Sequence, residues 1–504
     1  MERNERGIER ERRRWAVGPA TAQHRVDDVI AHRQFRLAAR RPLFLGSALM
    51  LAAAVGASPA QAAQPAGPAP VATPSPAPAA TATATIAPAP VATSGVQADQ
   101  AVAPVAPPPA PVPEPVMHWP LADAQALLDV ISGIGAEGLA PADYRPAALK
   151  AAIAAGEGEE LDAVASKSFA WLAEDLRDGR TPMDARVQWF AVDKDVDVNP
   201  TDAIMIRALE SHDIAGTLAA LDPTYPDYAV LKQALADTPR AQAKTRALIR
   251  ANMDRWRWFT RDLGEYYLMT NVPEFQLRLV RRDKIVRTYR TIVGKPGKTA
   301  TPQLAEEVED IVFNPTWTVP QSIVVGEGLG AKYAANPAKA LSDGYKVTKM
   351  ADGTLIVVQQ PGPKNSLGLI KIDMPNPHAI YLHDTPARGL FNTPSRAYSH
   401  GCVRTERALE LGMMLAMLKA GKTPEEVTAI SQSGKYTKVP LTSTMPVYIG
   451  YFTMAKDING QLITWPDIYE RDAPVLASFA QPRQIKTGER TIKEKVEAID
   501  APGA

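Results

Sequence analysis

The chain has 504 residues, and its 56 lysines and arginines against 55 aspartates and glutamates leave a net charge of +1. A balance this even implies no polyanion-binding surface, and nucleic acid is not expected as a partner. Eight tryptophans and 14 tyrosines suffice for real cores, while the single cysteine cannot close an internal disulfide.

Residues 1–41 carry 11 arginines and 6 acids, and the uncharged run "PLFLGSALMLAAAVGA" follows from Pro42 to Ala57. Ala60-Gln61-Ala62 then fits an A-x-A cleavage site. A basic flank, a short apolar run and small residues at a cleavage site predict a signal peptide over 1–62 and export to the periplasm. The alternative is an uncleaved anchor, which would be the chain's one link to a membrane. Residues 63–115 are almost wholly Ala, Pro, Thr and Val and hold 15 of the chain's 45 prolines. That composition cannot bury a core and predicts an extended, disordered tether.

Helical signals dominate 116–243. "PLADAQALLDVISGIGAEGL" ends in glycines, and "ASKSFAWLAEDLRDGR" spaces Phe169, Leu172, Ala173 and Leu176 for one face before Gly179 stops it. "YPDYAVLKQALADTP" predicts another amphipathic helix, and "KTRALIRANMDRWRW" at 244–258 one more. Strand signals follow. "EFQLRLVRRDKIVRTYRTIVG" predicts a hairpin turning at Arg282-Asp283, and "EDIVFNPTWTVP" and "GTLIVVQQPGP" predict further strands. "AIYLHD" is a strand that delivers His383 at its end. A helix is expected from near Thr405 to Gly421. The next opens with Thr423 as cap, Pro424 in the first turn and Glu426 closing a capping box. "MPVYIGYFTMAKDINGQLITWPDIYERD" predicts a late hairpin closed at Asn459-Gly460, and the chain beyond about 481 reads as a loose polar tail.

The lone cysteine sits in "SRAYSHGCVRTERA". In an exported chain it can be a reactive thiol, an intermolecular link or a small buried hydrophobe. His383 lies 19 residues before Cys402. Cys402 falls at the mouth of the helix expected from Thr405, where helix N–H groups and a nearby imidazole would favour a thiolate. His383 can take the thiol proton and return it to a leaving group, and a carbonyl or carboxylate at Asp384 can orient the ring. The N–H groups of Gly401 and Cys402 can hold an oxyanion, and Arg404 adds positive charge. A metal site built from His378, His383, His400 and Cys402 matches no standard zinc spacing, so neither metal nor cofactor is expected.

The stretch "YLHDTPARGLFNTPSRAYSHGCVR" at 381–404 resembles the signature of L,D-transpeptidases of the YkuD class, H-x(n)-[ST]-H-G-C-x-[RN]. "NVPEFQL", "VGKPGKTATP", "FNPTWTVP", "QQPGPKNSLGLIKIDMPN" and "DIYERD" follow in the order of the large periplasmic branch of that family. "GAEGLAPADY…WLAEDLRDGRTP" is similar to its helical scaffold domain. The resemblance covers roughly 118–475 and departs from the branch in leaving no room for an inserted peptidoglycan-binding module. It implies an α+β protein, with a mainly β catalytic domain (a YkuD-like β-sandwich with helices) at 244–475, an all-helical scaffold at 116–243, a lid at about 320–360 and a C-terminal tail at 476–504.

The implied chemistry is acyl transfer. Cys402 would be the nucleophile and His383 the base. Ser399, His400, Gly401, Arg404 and Asp384 would support them, with His400 holding the loop rather than taking the proton. Trp317, Tyr398 and Asn314 would line the donor site or pack in the core, and Gln359 and Asn365 are equally open. The implied partners are peptidoglycan stem peptides joined in 3→3 cross-links. The same acyl-enzyme could instead pass its stem to an outer-membrane protein or to water, and a wall-binding scaffold with a dead site is the non-catalytic alternative. Carbapenems would acylate Cys402.

Overall fold

The computed structural model describes residues 115–486 and 491–492. The expected export segment at 1–62 and all of the expected tether except its last residue lie outside the described residues. The described chain begins with helices α1 (Leu121–Gly133), α2 (Pro146–Ala155), α3 (Glu159–Asp178), α4 (Asp195–Val198), α5 (Thr201–Ser211), α6 (Ile214–Ala219), α7 (Pro226–Asp237) and α8 (Ala243–Trp256). In α3, Glu159, Glu160 and Asp162 complement the positive end of the helix dipole and Arg177 the negative end. Its face of Leu161, Ala165, Phe169, Leu172 and Leu176 is buried in one cluster with Trp119, Leu127, Tyr144 and Ile204. Burying each large apolar side chain contributes roughly 1.5–3 kcal/mol. Gly179 ends α3 at φ +84, and a Cβ there would lie 2.6 Å from the Trp258 ring.

Helices α7 and α8 share a second, aromatic core with the strands that follow: Tyr228, Trp256, Trp258 and Phe259 are buried with Tyr267, Tyr448 and Phe452. Trp256 stacks on Phe452 at 4.3 Å. The buried carboxylate of Asp254 accepts from the backbone N–H groups of Arg180 and Thr181 and from the Trp258 indole, which ties the end of α3 to α8.

The strands are β1 (Tyr266–Asn271), β2 (Gln276–Arg281), β3 (Lys284–Gly294), β4 (Leu304–Phe313), β5 (Trp317–Thr318), β6 (Tyr345–Lys349), β7 (Leu355–Gln359), β8 (Ile370–Asp373), β9 (Leu382–His383), β10 (Ala397–Ser399), β11 (Val403–Thr405), β12 (Thr437–Gly450), β13 (Met454–Lys456) and β14 (Leu462–Thr464). Nine of them form one sheet in the order β10-β3-β11-β9-β8-β4-β12-β1-β2. The sheet curls until β2 meets β3, so the long β3 pairs with β2 along its first part and with β10 and β11 at its end. The β2–β3 hairpin turns at Arg282 and Asp283, both at positive φ, as the sequence predicts.

Helices α12 (Ala408–Ala420) and α13 (Pro424–Gln432) pack on this sheet. The capping box forms at α13: Glu426 N–H donates to Thr423 Oγ1 and Thr423 N–H to Glu426 Oε2. Residues 317–359 make a small separate layer. Strands β5, β7 and β6 with α9 (Gln321–Gly326), α10 (Leu329–Ala335) and α11 (Pro337–Ser342) enclose Val319, Val324, Tyr333, Ala340 and Val357.

Three local expectations are corrected. The helix expected from Thr405 starts at Ala408, because Val403–Thr405 is claimed by the sheet as β11. Cys402 therefore lies at the head of a strand, not of a helix. Gly460 does close a hairpin, but between β13 and β14; "MPVYIG" belongs to β12, a long central strand. The chain beyond 481 is not loose up to 486. Helix α14 (Asp472–Phe479) leads to Arg483, which is buried and donates to Glu174 and Asp175 of α3, while the Lys486 ammonium donates to the Glu174 carbonyl. Paired charges, rather than apolar side chains, hold this segment down, which hydrophobic periodicity cannot reveal.

Candidate active site

Strand β11 lies between β3 and β9, and its parallel pairing with β9 sets Arg404 beside His383 and Val403 beside Leu382. Side chains alternate along a strand, so Cys402 and Arg404 share the face on which His383 stands. All three line a cleft of about 230 Å³ together with Trp317, Ile323, Glu327, Leu329, Tyr345, Ser366, Leu367, Tyr381, Ser399 and His400. One wall is the curled sheet, and the other is the 317–359 layer. His383 is 5% exposed and Cys402 7% exposed, so a group reaching the sulfur leaves most water behind.

The His383 Nδ1 lies 2.6 Å from the backbone carbonyl of Asp384. A carbonyl can only accept, so Nδ1 carries the proton and Nε2 keeps a lone pair that can accept one. Burial, and then the charge of Arg404, push the imidazole from 6.5 down to about 3, although the Asp384 carbonyl favours the protonated form. The ring is therefore neutral at neutral pH. The Asp384 carboxylate does not touch the imidazole through any described hydrogen bond. It accepts from Leu369 N–H and Arg388 and so locks the end of β9. Gly368 sits against it at φ +65, where a Cβ would fall 2.4 Å from Asp384 Oδ2.

Cys402 Sγ lies 3.6 Å from the carbonyl of Ala379, a residue held at φ +52. Burial lowers the pKa of Arg404, and the negative charge of a Cys402 thiolate opposes that shift, so guanidinium and sulfur are electrostatically coupled. Arg404 Nε is buried with no hydrogen-bond partner among the described residues. Ser399 Oγ donates to the Cys402 carbonyl at 2.6 Å and accepts from Gly401 N–H at 3.2 Å. The Gly401 N–H is thus engaged inside the turn, which does not fit its expected place as an oxyanion donor. His400 is exposed at the cleft, and hydrogen bonds from Ser399, Thr301 and the Lys295 N–H hold this turn. The loop-holding role expected of His400 thus passes to them.

Trp317 lines the cleft and also packs on both neighbouring cores. Tyr398 is half-buried on β10 and is not among the residues lining the cleft. Asn314 is turned away: its side-chain amide donates to the carbonyls of Ile430, Ser431 and Lys435 and anchors the end of α13. Gln359 and Asn365 hold the 360–368 loop through Lys364, Ser366, Pro315 and Leu367, which brings Ser366 and Leu367 into the cleft. Sequence reasoning missed Tyr381, Ser366 and Leu367, although they sit inside quoted motifs. It missed Glu327, Ile323, Leu329 and Tyr345 for want of any local signal, since only the folding of 317–359 brings them near Cys402. Among the described residues no cluster of three or more His, Cys, Asp or Glu could hold a metal.

Residues 265–424 match the family model of the YkuD L,D-transpeptidase catalytic domain, and residues 118–235 match that of a scaffold domain. A Haemophilus influenzae protein named "Putative L,D-transpeptidase" is 32% identical over 223 residues, which is 41% of this chain and 45% of that protein. The match thus spans less than half of that relative's length. An L,D-transpeptidase structure from Mycobacterium smegmatis aligns with 38% of this chain and 60% of its own at 12% identity and a TM-score of 0.19. L,D-transpeptidase 1 of Mycobacterium tuberculosis aligns with 38% of this chain and 63% of its own at 12% identity and a TM-score of 0.17. At those scores the structural likenesses are too distant to transfer anything. The family matches and the cysteine–histidine cleft agree, and the chain carries a YkuD-type L,D-transpeptidase catalytic domain behind an N-terminal scaffold domain.

Proposed function

We propose that this protein is an exported peptidoglycan L,D-transpeptidase that makes 3→3 cross-links through a thioester on Cys402. The observation that carries the reading is the pairing, in one covered cleft, of the chain's sole cysteine with a neutral histidine whose tautomer leaves Nε2 as base. His383 Nε2 takes the thiol proton as Sγ attacks the carbonyl of the third stem residue. The C–N bond to terminal D-Ala then breaks, and D-Ala leaves with that proton on its amine. A side-chain amine of a second stem attacks the thioester and gives its proton to His383. As the C–S bond breaks, the sulfur takes the proton back. The peptide-bond energy is kept in the thioester, so no ATP or metal is required. The half-buried Arg404 charge, with a buried Nε open among the described residues, suits a substrate carboxylate or the developing oxyanion.

Two measurements test this. Mass spectrometry of the protein with a carbapenem is expected to give one adduct on Cys402, lost in Cys402→Ser; a full adduct on the serine variant refutes the nucleophile. Muropeptide analysis of cells with and without the gene is expected to lose 3→3 dimers. Unchanged dimers with loss of stem-linked outer-membrane protein, or of shortened stems, would move the acceptor to a protein lysine or to water.

A further inference from the structure

The loop "VGKPGKTATP" and the segment "DIYERD" have no part in the chemistry above, yet both converge beneath the turn that carries Cys402. Thr301 is fully buried. Its Oγ1 accepts from Gly294 N–H at 2.9 Å and donates to the carbonyl of Gly401 at 2.7 Å. Lys295 N–H donates to the Ser399 carbonyl at 3.0 Å, so the loop grips the turn at two points. The loop is itself held from behind. Tyr469 donates its hydroxyl to the Gly294 carbonyl at 2.6 Å and accepts from Thr301 N–H at 3.3 Å. Arg471 donates to the Thr301 carbonyl at 3.1 Å and to the Gln188 side chain, and its guanidinium lies 4.9 Å from the Tyr451 and Tyr469 ring centres. Gly294 admits no side chain, because a Cβ would fall 1.9 Å from the Thr299 carbonyl.

We propose that Thr301 is a positioning residue for acyl transfer. Through its hydroxyl it fixes the plane of the Gly401–Cys402 peptide and so aims the Cys402 N–H as the oxyanion donor. A trans peptide sets its N–H opposite its C=O. Holding the Gly401 carbonyl on the Thr301 side therefore turns the Cys402 N–H to the other side. Gly401, at φ +123, has no Cβ to resist rotation of that plane, so the turn by itself does not set it. The Gly401 N–H is engaged by Ser399, so the donor that this peptide plane directs is the Cys402 N–H. The inference rests on the acyl-transfer reading of the site.

The test compares two reactions of one sulfur. Acylation by a carbapenem passes through an oxyanion, whereas alkylation by iodoacetamide does not. Thr301→Val keeps the shape and removes the hydroxyl. It is expected to slow carbapenem acylation by about 10²-fold, the usual effect of one misaimed oxyanion donor, and to change alkylation less than about threefold. Thr301→Ser is expected to restore acylation to within about threefold. Tyr469→Phe, which leaves Thr301 in place without its rear support, is expected to slow acylation alone by about tenfold, and it decides the matter if the valine variant does not fold. Unchanged acylation in these variants, equal loss of both reactions, or failure of serine to rescue overturns the proposal. A wild-type Cys402 that is alkylated but never acylated would instead refute the transpeptidase reading.

Discussion

The His383 Nδ1–H donates over 2.6 Å to the backbone carbonyl of its own neighbour, Asp384. The imidazole is therefore oriented by the main chain, and the Asp384 side chain serves elsewhere, pairing with Arg388 and with the N–H of Leu369. Asp384→Asn should consequently spare the tautomer and cost less in acylation rate than His383→Ala, which is expected to lose on the order of 10²-fold. Single-turnover acylation of Cys402 by a carbapenem measures both.

His400 offers a contrast on the same turn. Its ring is exposed, while Ser399, Thr301 and the Lys295 N–H supply hydrogen bonds that hold the turn. His400→Ala is expected to leave the melting temperature within about 2 °C and to reduce acylation less than tenfold. A larger loss of rate than in His383→Ala, at matched stability, would exchange the two roles.

Acidity should act on the fold through His383. Its imidazole is held at about 3 when folded, against 6.5 when free. Below pH 6.5 the unfolded chain takes up a proton there that the folded chain refuses. Stability therefore falls with pH down to about 3, by up to about 1.4 kcal/mol per unit. Urea unfolding at pH 6.5 and 4.5 should show a smaller loss for His383→Gln than for the native chain. Carbapenem acylation should also lack a histidine-like midpoint near 6.5.

Gly368 is held at φ +65 with its missing Cβ directed 2.4 Å from Asp384 Oδ2. Gly368→Ala must displace that carboxylate or strain the backbone. It is expected to destabilise by about 2 kcal/mol and to slow acylation, because the end of β9 carries His383, the proposed base. Gly389→Ala, with nothing within 4 Å of its Cβ, is the matched control. Equal stability of the two variants would refute this packing.

The C-terminal segment should prove structural. Arg483 is buried against Glu174 and Asp175, and Tyr144 also donates to Asp175. Arg483→Ala leaves Asp175, itself fully buried, short of a partner and should cost about 3 kcal/mol in chemical denaturation. Deleting residues from 481 onward should cost at least as much, and an unaltered midpoint would return the segment to a loose tail.

Glu327 brings a carboxylate from the 317–359 layer into the cleft. On the proposed reaction it is expected to attract the ammonium of the acceptor stem. Glu327→Gln should raise the acceptor KM several-fold and leave carbapenem acylation, which needs no acceptor, within about twofold. Equal effects on both reactions would show that the residue shapes the cleft without selecting an amine.

What the sequence by itself determined lies within a few residues of each motif. The capping box at Thr423, the turn at Arg282-Asp283, the glycine stop at Gly179 and the pairing of Cys402 with His383 are written in short-range chemistry: backbone donors needing acceptors, φ angles needing particular residues, a nucleophile needing a base. The tertiary structure decided the rest. The start of α12 moved to Ala408 because β9 and β3 offered Val403–Thr405 a place in the sheet. His383 became neutral because residues distant in sequence bury it beside Arg404. Asn314 was drawn from the cleft to α13 by carbonyls more than a hundred residues away. The cleft acquired Glu327 and Tyr345, and the turn that carries Cys402 acquired Thr301, only when separate segments closed over one another. Burial and long-range hydrogen bonds depend on which surfaces meet, and a local pattern of residues does not specify that.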